Sequence, residues 1–124
     1  MSTKTILLID DEPNLAEVIS ICLSSFKGWN VKVANSGKIG LSIVQTVQPD
    51  AILLDVMMPE MDGLAVYQAL QKNPETQNIP VIFLTAKVQA SDLKKFAELG
   101  VLGTIAKPFE PLVIADQITQ LLNW

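Results

Sequence analysis

The stretch Ala51-Ile52-Leu53-Leu54-Asp55 decides the fold. Four consecutive apolar residues, bounded by Pro49 before and a Met- and Pro-containing loop after, read as a strand buried on both faces. Such strands belong to parallel sheets with helices on either side. The pattern repeats outward in both directions. Thr5-Ile6-Leu7-Leu8-Ile9 and Val81-Ile82-Phe83-Leu84 are further buried strands, ending at Asp10 and Thr85, and Val31 to Ala34 and Val101 to Ala106 hold two shorter ones.

Amphipathic segments fill the intervals. Pro13 opens a helix, following Asp11 and Glu12, which suit a helix N-terminus. Leu15, Val18, Ile19, Cys22, Leu23 and Phe26 recur on it at helical spacing, and Gly28 ends it. Ser36-Gly37 starts a second helix that turns Leu41, Val44 and Val47 inward and stops before Pro49. The loop from Met57 to Gly63 leads into a third, with Leu64, Tyr67 and Leu70 inward, stopped by Asn73-Pro74. Ser91 caps a fourth, carrying Leu93, Phe96 and Ala97 and closed by Gly100. Pro111 opens a fifth, with Ile114, Ala115, Ile118, Leu121 and Leu122 inward. A strand–helix unit repeated five times predicts an α/β, doubly wound (βα)5 flavodoxin-like three-layer sandwich. Its parallel five-stranded sheet is expected in the order 2-1-3-4-5.

Composition narrows the chemistry. The 124 residues are 49% hydrophobic and 18% charged, which suits one folded domain rather than a disordered chain. No apolar run reaches the roughly 20 residues of a membrane span, and the N-terminus turns acidic too early for a signal peptide. Nine lysines, no arginine and 13 carboxylates leave a net charge of −4 and no basic stripe for nucleic acid. There is one cysteine and no histidine, which excludes an internal disulfide, zinc-finger spacing and histidine-dependent nucleophilic catalysis. Carboxylates, hydroxyls, lysines or a hard metal must carry any chemistry.

Ligands of such sheets bind beyond the carboxyl ends of the strands, at the point where strand order reverses. The strand ends bring Asp10, Asp11, Asp55, Thr85 and Lys107 to that crevice. Two like charges 4 Å apart repel by about 4 kcal/mol at an effective dielectric of ~20, so the cluster protonates, pairs with Lys107 or takes a cation. Oxygen-only ligation at an open edge favours Mg²⁺. Asp55, directly after four apolar residues, is costly unless partnered. Taken singly, each residue has an ordinary structural use. Asp10-Asp11 suits a polar turn, Thr85 a strand-end hydroxyl and Lys107 a solvated cation.

Together these residues resemble the receiver domain of two-component response regulators, over essentially all 124 residues. The motifs are Ile9-Asp10-Asp11-Glu12, Leu54-Asp55-Val56-Met57-Met58-Pro59-Glu60-Met61-Asp62-Gly63, Leu84-Thr85-Ala86 and Ala106-Lys107-Pro108-Phe109, with Thr85 30 residues and Lys107 52 residues after Asp55. The resemblance implies a phosphoacceptor, Asp55, that takes a phosphoryl group from a phosphohistidine on a histidine kinase or phosphotransfer protein. It implies Mg²⁺ held by Asp11, Asp55 and the Met57 backbone carbonyl, with Asp10 acting through a water. It implies Lys107 and Thr85 at the phosphoryl group together with the Ala86 backbone N–H, and a cis Lys107-Pro108 bond. A cytoplasmic regulator is expected, stand-alone or a fragment cut at Trp124, acting on a protein target or passing phosphate on, with homodimerisation through the last helix left open. The chain departs from the family at Thr104, where an aromatic residue is usual. Met57 and Lys87 flank the path of a hydrolytic water, and slow self-dephosphorylation is expected.

Three rivals share the topology. A pseudo-receiver would act as an interaction module without phosphorylation, but here every core site residue is present. A flavin mononucleotide binder would offer hydroxyls and N–H groups where Asp10-Asp11-Glu12 repels phosphate. A haloacid-dehalogenase-type phosphatase would need an aspartate where Met57 stands. Cys22 is expected to be a core residue, Met57, Met58 and Met61 to pack over the site or to form a partner surface, Trp29 to be half exposed, Trp124 to fold back on the last helix, and Lys94-Lys95 to be solvated on the face that the family uses for output.

Overall fold

The computed structural model describes residues 3–124. Five strands alternate with five helices: β1 (Thr5–Ile9), α1 (Pro13–Lys27), β2 (Asn30–Ala34), α2 (Gly37–Val47), β3 (Ala51–Asp55), α3 (Gly63–Lys72), β4 (Val81–Thr85), α4 (Ala90–Leu99), β5 (Gly103–Ala106) and α5 (Ile114–Leu122). The sheet is parallel throughout and runs β2-β1-β3-β4-β5, as the repeated unit predicts.

Each central strand feeds two cores because successive side chains point to opposite faces. Leu8, Leu53 and Leu84 pack with Ile19 and Leu23 of α1 and Ile118 of α5. Leu7, Ile52, Leu54 and Phe83 pack on the other face with Val44 of α2, Val66 and Tyr67 of α3 and Phe96 of α4. All five residues of β3 are buried, as are all five of β4. β2, at the edge, buries only Ala34 fully. Cys22 is a buried free thiol in the α1 core, Met58 is buried, and Lys94 and Lys95 are exposed.

The helices differ from the sequence reading where a local signal competes with docking geometry. On α1 the buried stripe is Ala16, Ile19, Cys22 and Leu23. Val18 is 41% and Phe26 52% exposed, because the stripe facing the sheet is narrower than the apolar pattern. Gln89, not Ser91, is the N-cap of α4, and Ser91 falls inside the first turn. Of the inward positions expected on α4 only Phe96 is buried, since Leu93 is 40% exposed. Pro111 lies in a turn that precedes α5, where Val113 and Ile114 N–H groups both donate to the Glu110 carbonyl. β5 starts at Gly103 rather than Val101. Trp29 is buried at 9% exposure, not half exposed, because Trp124 returns to pack edge-on against it, ring centroids 5.2 Å apart. Gly28 closes α1 in the left-handed region at φ 68°.

Candidate phosphoacceptor site

The strand ends place the predicted residues together. Asp10 follows β1, Asp55 ends β3, Thr85 ends β4, and Lys107 follows β5 with a cis bond to Pro108. Asp10, Asp55 and Thr85 are fully buried. Backbone bonds fix the rim: Asp10 N–H donates to the Ala34 carbonyl, Val56 N–H to Leu84, and Lys107 N–H to Thr85. Gly63 lets the loop after β3 fold back tightly, for a Cβ there would lie 2.6 Å from the Asp55 carbonyl oxygen. Asp62 then caps α3 by accepting from Ala65 N–H at 2.9 Å.

Each buried aspartate spends one oxygen on the local backbone. Asp10 Oδ1 accepts from Glu12 N–H at 2.8 Å, and Asp55 Oδ1 accepts from Met57 N–H at 3.1 Å. Asp10 Oδ2, Asp55 Oδ2 and Asp11 Oδ1 are buried without a hydrogen-bond partner. Lys107 Nζ lies 3.2 Å from Asp55 Oδ2 and 3.5 Å from Asp10 Oδ2, an ion pair with each. Carboxylate oxygens of Asp10, Asp11, Glu12 and Asp55 lie within 4.8 Å of one another.

Electrostatics follow from that crowding. Burial pushes the Asp55 carboxyl up to about 6, Asp10 adds repulsion, and Lys107 and the Met57 N–H offset part of the rise. Burial also raises Asp10, against the pull of the Glu12 N–H and Lys107. For Lys107 burial acts downward, but Asp10, Asp55 and Glu12 outweigh it and hold the ammonium above its ordinary value. One lysine thus serves several carboxylates, and Asp11 Oδ1 is left buried with no hydrogen-bond partner. Such a donor set suits a hard divalent cation, so the residues fit the group that the resemblance implies.

Thr85 Oγ accepts from Lys87 N–H at 3.0 Å. Ala86 is exposed and borders a groove of about 480 Å³ that Lys107 and Glu12 also line. The Met57 side chain is 56% exposed. Sequence reasoning missed one participant. Glu12, read as a helix-start carboxylate, is the N-cap residue of α1 but makes no capping bond with its side chain. Its carboxylate accepts instead from Lys107 Nζ at 3.3 Å. The adjacent Asp10-Asp11 pair was the available signal.

Residues 6–119 match the response regulator receiver domain family, and the chain belongs to it. It is 39% identical, over 99% of its length, to a probable cyclic di-GMP phosphodiesterase of Vibrio cholerae, of which it covers 28%. It is 38% identical, over 96%, to the probable transcriptional regulatory protein TcrX of Mycobacterium tuberculosis, of which it covers 50%. The chain therefore spans about half or less of these curated relatives. Among solved structures it resembles a putative response regulator from Chloroflexus aurantiacus, with a TM-score of 0.88, 30% identity, and 99% and 100% of the two chains covered. Chemotaxis protein CheY4 of Vibrio cholerae shares the fold, with a TM-score of 0.89, 24% identity, and 97% and 99% covered.

Proposed function

We propose that this receiver domain, spanning residues 1–124, accepts a phosphoryl group on Asp55 from a phosphohistidine of a histidine kinase or histidine phosphotransfer protein. The observation that carries the reading is Asp55 Oδ2, buried, without a hydrogen-bond partner, and 3.2 Å from Lys107 Nζ. In the transfer the P–N bond to imidazole breaks, a P–O bond to Asp55 forms, and the imidazole nitrogen keeps the electron pair. The acyl phosphate stays reactive, so the mark is reversible. Asp11, Asp55 and the Met57 carbonyl would hold Mg²⁺, with Asp10 as an indirect partner. When bound, the ion supplies charge neutralisation for the carboxylates and the phosphoryl oxygens.

Lys107, already beside Asp55, is the cation for the phosphoryl group. Thr85 Oγ and the Ala86 N–H, on the adjoining strand end, bind it once it is attached. Positioning and charge are the whole of the catalysis, so the protein is a signalling acceptor, catalysing only its own phosphorylation and dephosphorylation. Its output is a shift between two conformations that a protein partner reads, or onward transfer of the phosphoryl group. A cytoplasmic location goes with this reading. No helix among the described residues is long and apolar enough to cross a membrane.

Incubation with acetyl phosphate and Mg²⁺, followed by intact mass, tests this. Wild type gains one phosphoryl mass and Asp55→Asn gains none. No gain in wild type, with no Mg²⁺ affinity, favours the pseudo-receiver instead.

A further inference from the structure

Lys107 is bound on two sides, by the buried aspartates and by Glu12. Asp10 Oδ2 and Asp55 Oδ2, at 3.5 and 3.2 Å, are left without a hydrogen-bond partner, while the ammonium donates to Glu12 Oε1 at 3.3 Å across 95 residues of sequence. Glu12 is built for this reach. Its N–H is held by Asp10 Oδ1 at 2.8 Å, and its carbonyl accepts from Ala16 N–H at 3.0 Å. Its backbone is thus fixed between the site and the first turn of α1. A helix start is best capped by a short side chain, and Glu12 makes no cap bond. Its carboxylate stands 60% exposed at the open side of the groove, facing Lys107 at 16%.

We propose that Glu12 is a positioning residue for phosphoryl transfer. It shares the Lys107 ammonium with Asp55 at rest, and its charge opposes entry of an anionic phosphodonor. The proposal rests on the phosphoacceptor reading. Lys107 Nζ stands 3.3 Å from Glu12 Oε1 and 3.2 Å from Asp55 Oδ2, so a phosphoryl group on Asp55 competes with Glu12 for its charge. Glu12 therefore restrains phosphorylation by small donors.

The test compares initial phosphorylation by acetyl phosphate, at saturating Mg²⁺, in wild type, Glu12→Gln, Glu12→Asp and Asp55→Asn. Glutamine keeps the length and an acceptor oxygen but removes the charge. Glu12→Gln is expected to raise the second-order rate roughly three- to tenfold at low salt, through a lower apparent KM for the donor. The gain shrinks at about 0.5 M salt, where exposed charges are screened. Glu12→Asp, which restores the charge, returns toward wild type. An unchanged or slower Glu12→Gln overturns the proposal. So does a marked loss of Mg²⁺ affinity in that variant, which would make Glu12 a metal ligand. If wild type takes no phosphoryl group, the acceptor reading itself falls and this inference with it. Phosphorylation of wild type with an unaltered Glu12→Gln rate removes only the role of Glu12.

Discussion

Phe83 and Thr104 stand opposite one another across β4 and β5, two residues ahead of Thr85 and three ahead of Lys107. Phe83 is fully buried and packs edge-on against Phe96, at 5.1 Å, and Tyr67, at 5.8 Å. The Tyr67 hydroxyl donates to the Leu99 carbonyl at 3.0 Å. The aromatic bulk of this face therefore belongs to α3, β4 and α4, whereas β5 contributes a half-buried threonine. A displacement of Thr85 has packed rings to act on behind β4, but no ring to draw inward on β5. On binding beryllofluoride, amide shifts of Val101 to Thr104 are expected to be smaller than those around Thr85. Shifts of equal size in the two segments would show that Thr104 switches without an aromatic.

The crowding of Asp55 makes stability depend on pH. Its carboxyl titrates at about 6 when folded against an ordinary 3.8, so the folded state holds the proton more tightly than the unfolded chain does. That preference is fully present below about pH 4 and is lost as pH rises through about 6. Without Mg²⁺, Asp55→Asn should match wild type near pH 4. By pH 8 it should be more stable by about 1–3 kcal/mol, a rise of two pKa units being worth at most roughly 3 kcal/mol. Urea denaturation at the two pH values, with chelator, checks this. Added Mg²⁺ should stabilise wild type more than the variant.

The sheet and its site were legible for one physical reason. A carboxylate or hydroxyl that ends a doubly buried apolar run can lie only at the carboxyl edge, so Asp10, Asp55 and Thr85 placed themselves. What sequence could not reveal depends on side chains meeting across the fold. Glu12 reaches Lys107 only because β1 and β5 end on the same side of the sheet. Val18 and Phe26 sit at helical spacing with the core of α1, yet docking decides how wide a stripe is covered. Ser91 is a good capping residue, but the chain enters α4 two residues earlier.

Trp29 shows the same limit and supplies a further prediction. Its burial comes from Trp124, whose ring meets it at 84°, while Lys4 Nζ lies 4.9 Å from the Trp124 centroid. Asn30 N–H donates to the Lys4 carbonyl at 2.8 Å, so the start of β1, the turn into β2 and the end of α5 meet here. Trp124→Ala should cost about 1–2 kcal/mol of stability, for the lost ring contacts and apolar burial. It should also red-shift Trp29 emission by admitting water. An unshifted emission with unchanged urea midpoint would mean that Trp124 does not cover Trp29 in solution.

Met57 bears on how long the phosphoryl group lasts. Its N–H donates to Asp55 Oδ1 at 3.1 Å, which sets its backbone beside the acceptor, and its side chain is 56% exposed. With Val56, Met58, Asp62, Leu64 and Lys87 it lines a groove of about 370 Å³. Hydrolysis needs a water in line with the Asp55–phosphoryl bond and a group to take its proton. Met57 offers a bulky thioether there and no good acceptor. Lys87, whose N–H is held by Thr85 Oγ at 3.0 Å, carries an ammonium with donors only. Water access should therefore limit dephosphorylation. Met57→Ala, by opening the groove, should shorten the phosphoryl lifetime roughly two- to fivefold, since the change acts on water exclusion and supplies no base. Intact mass followed over time after donor removal gives the rate, and an unchanged lifetime would mean that Met57 does not screen the acyl phosphate.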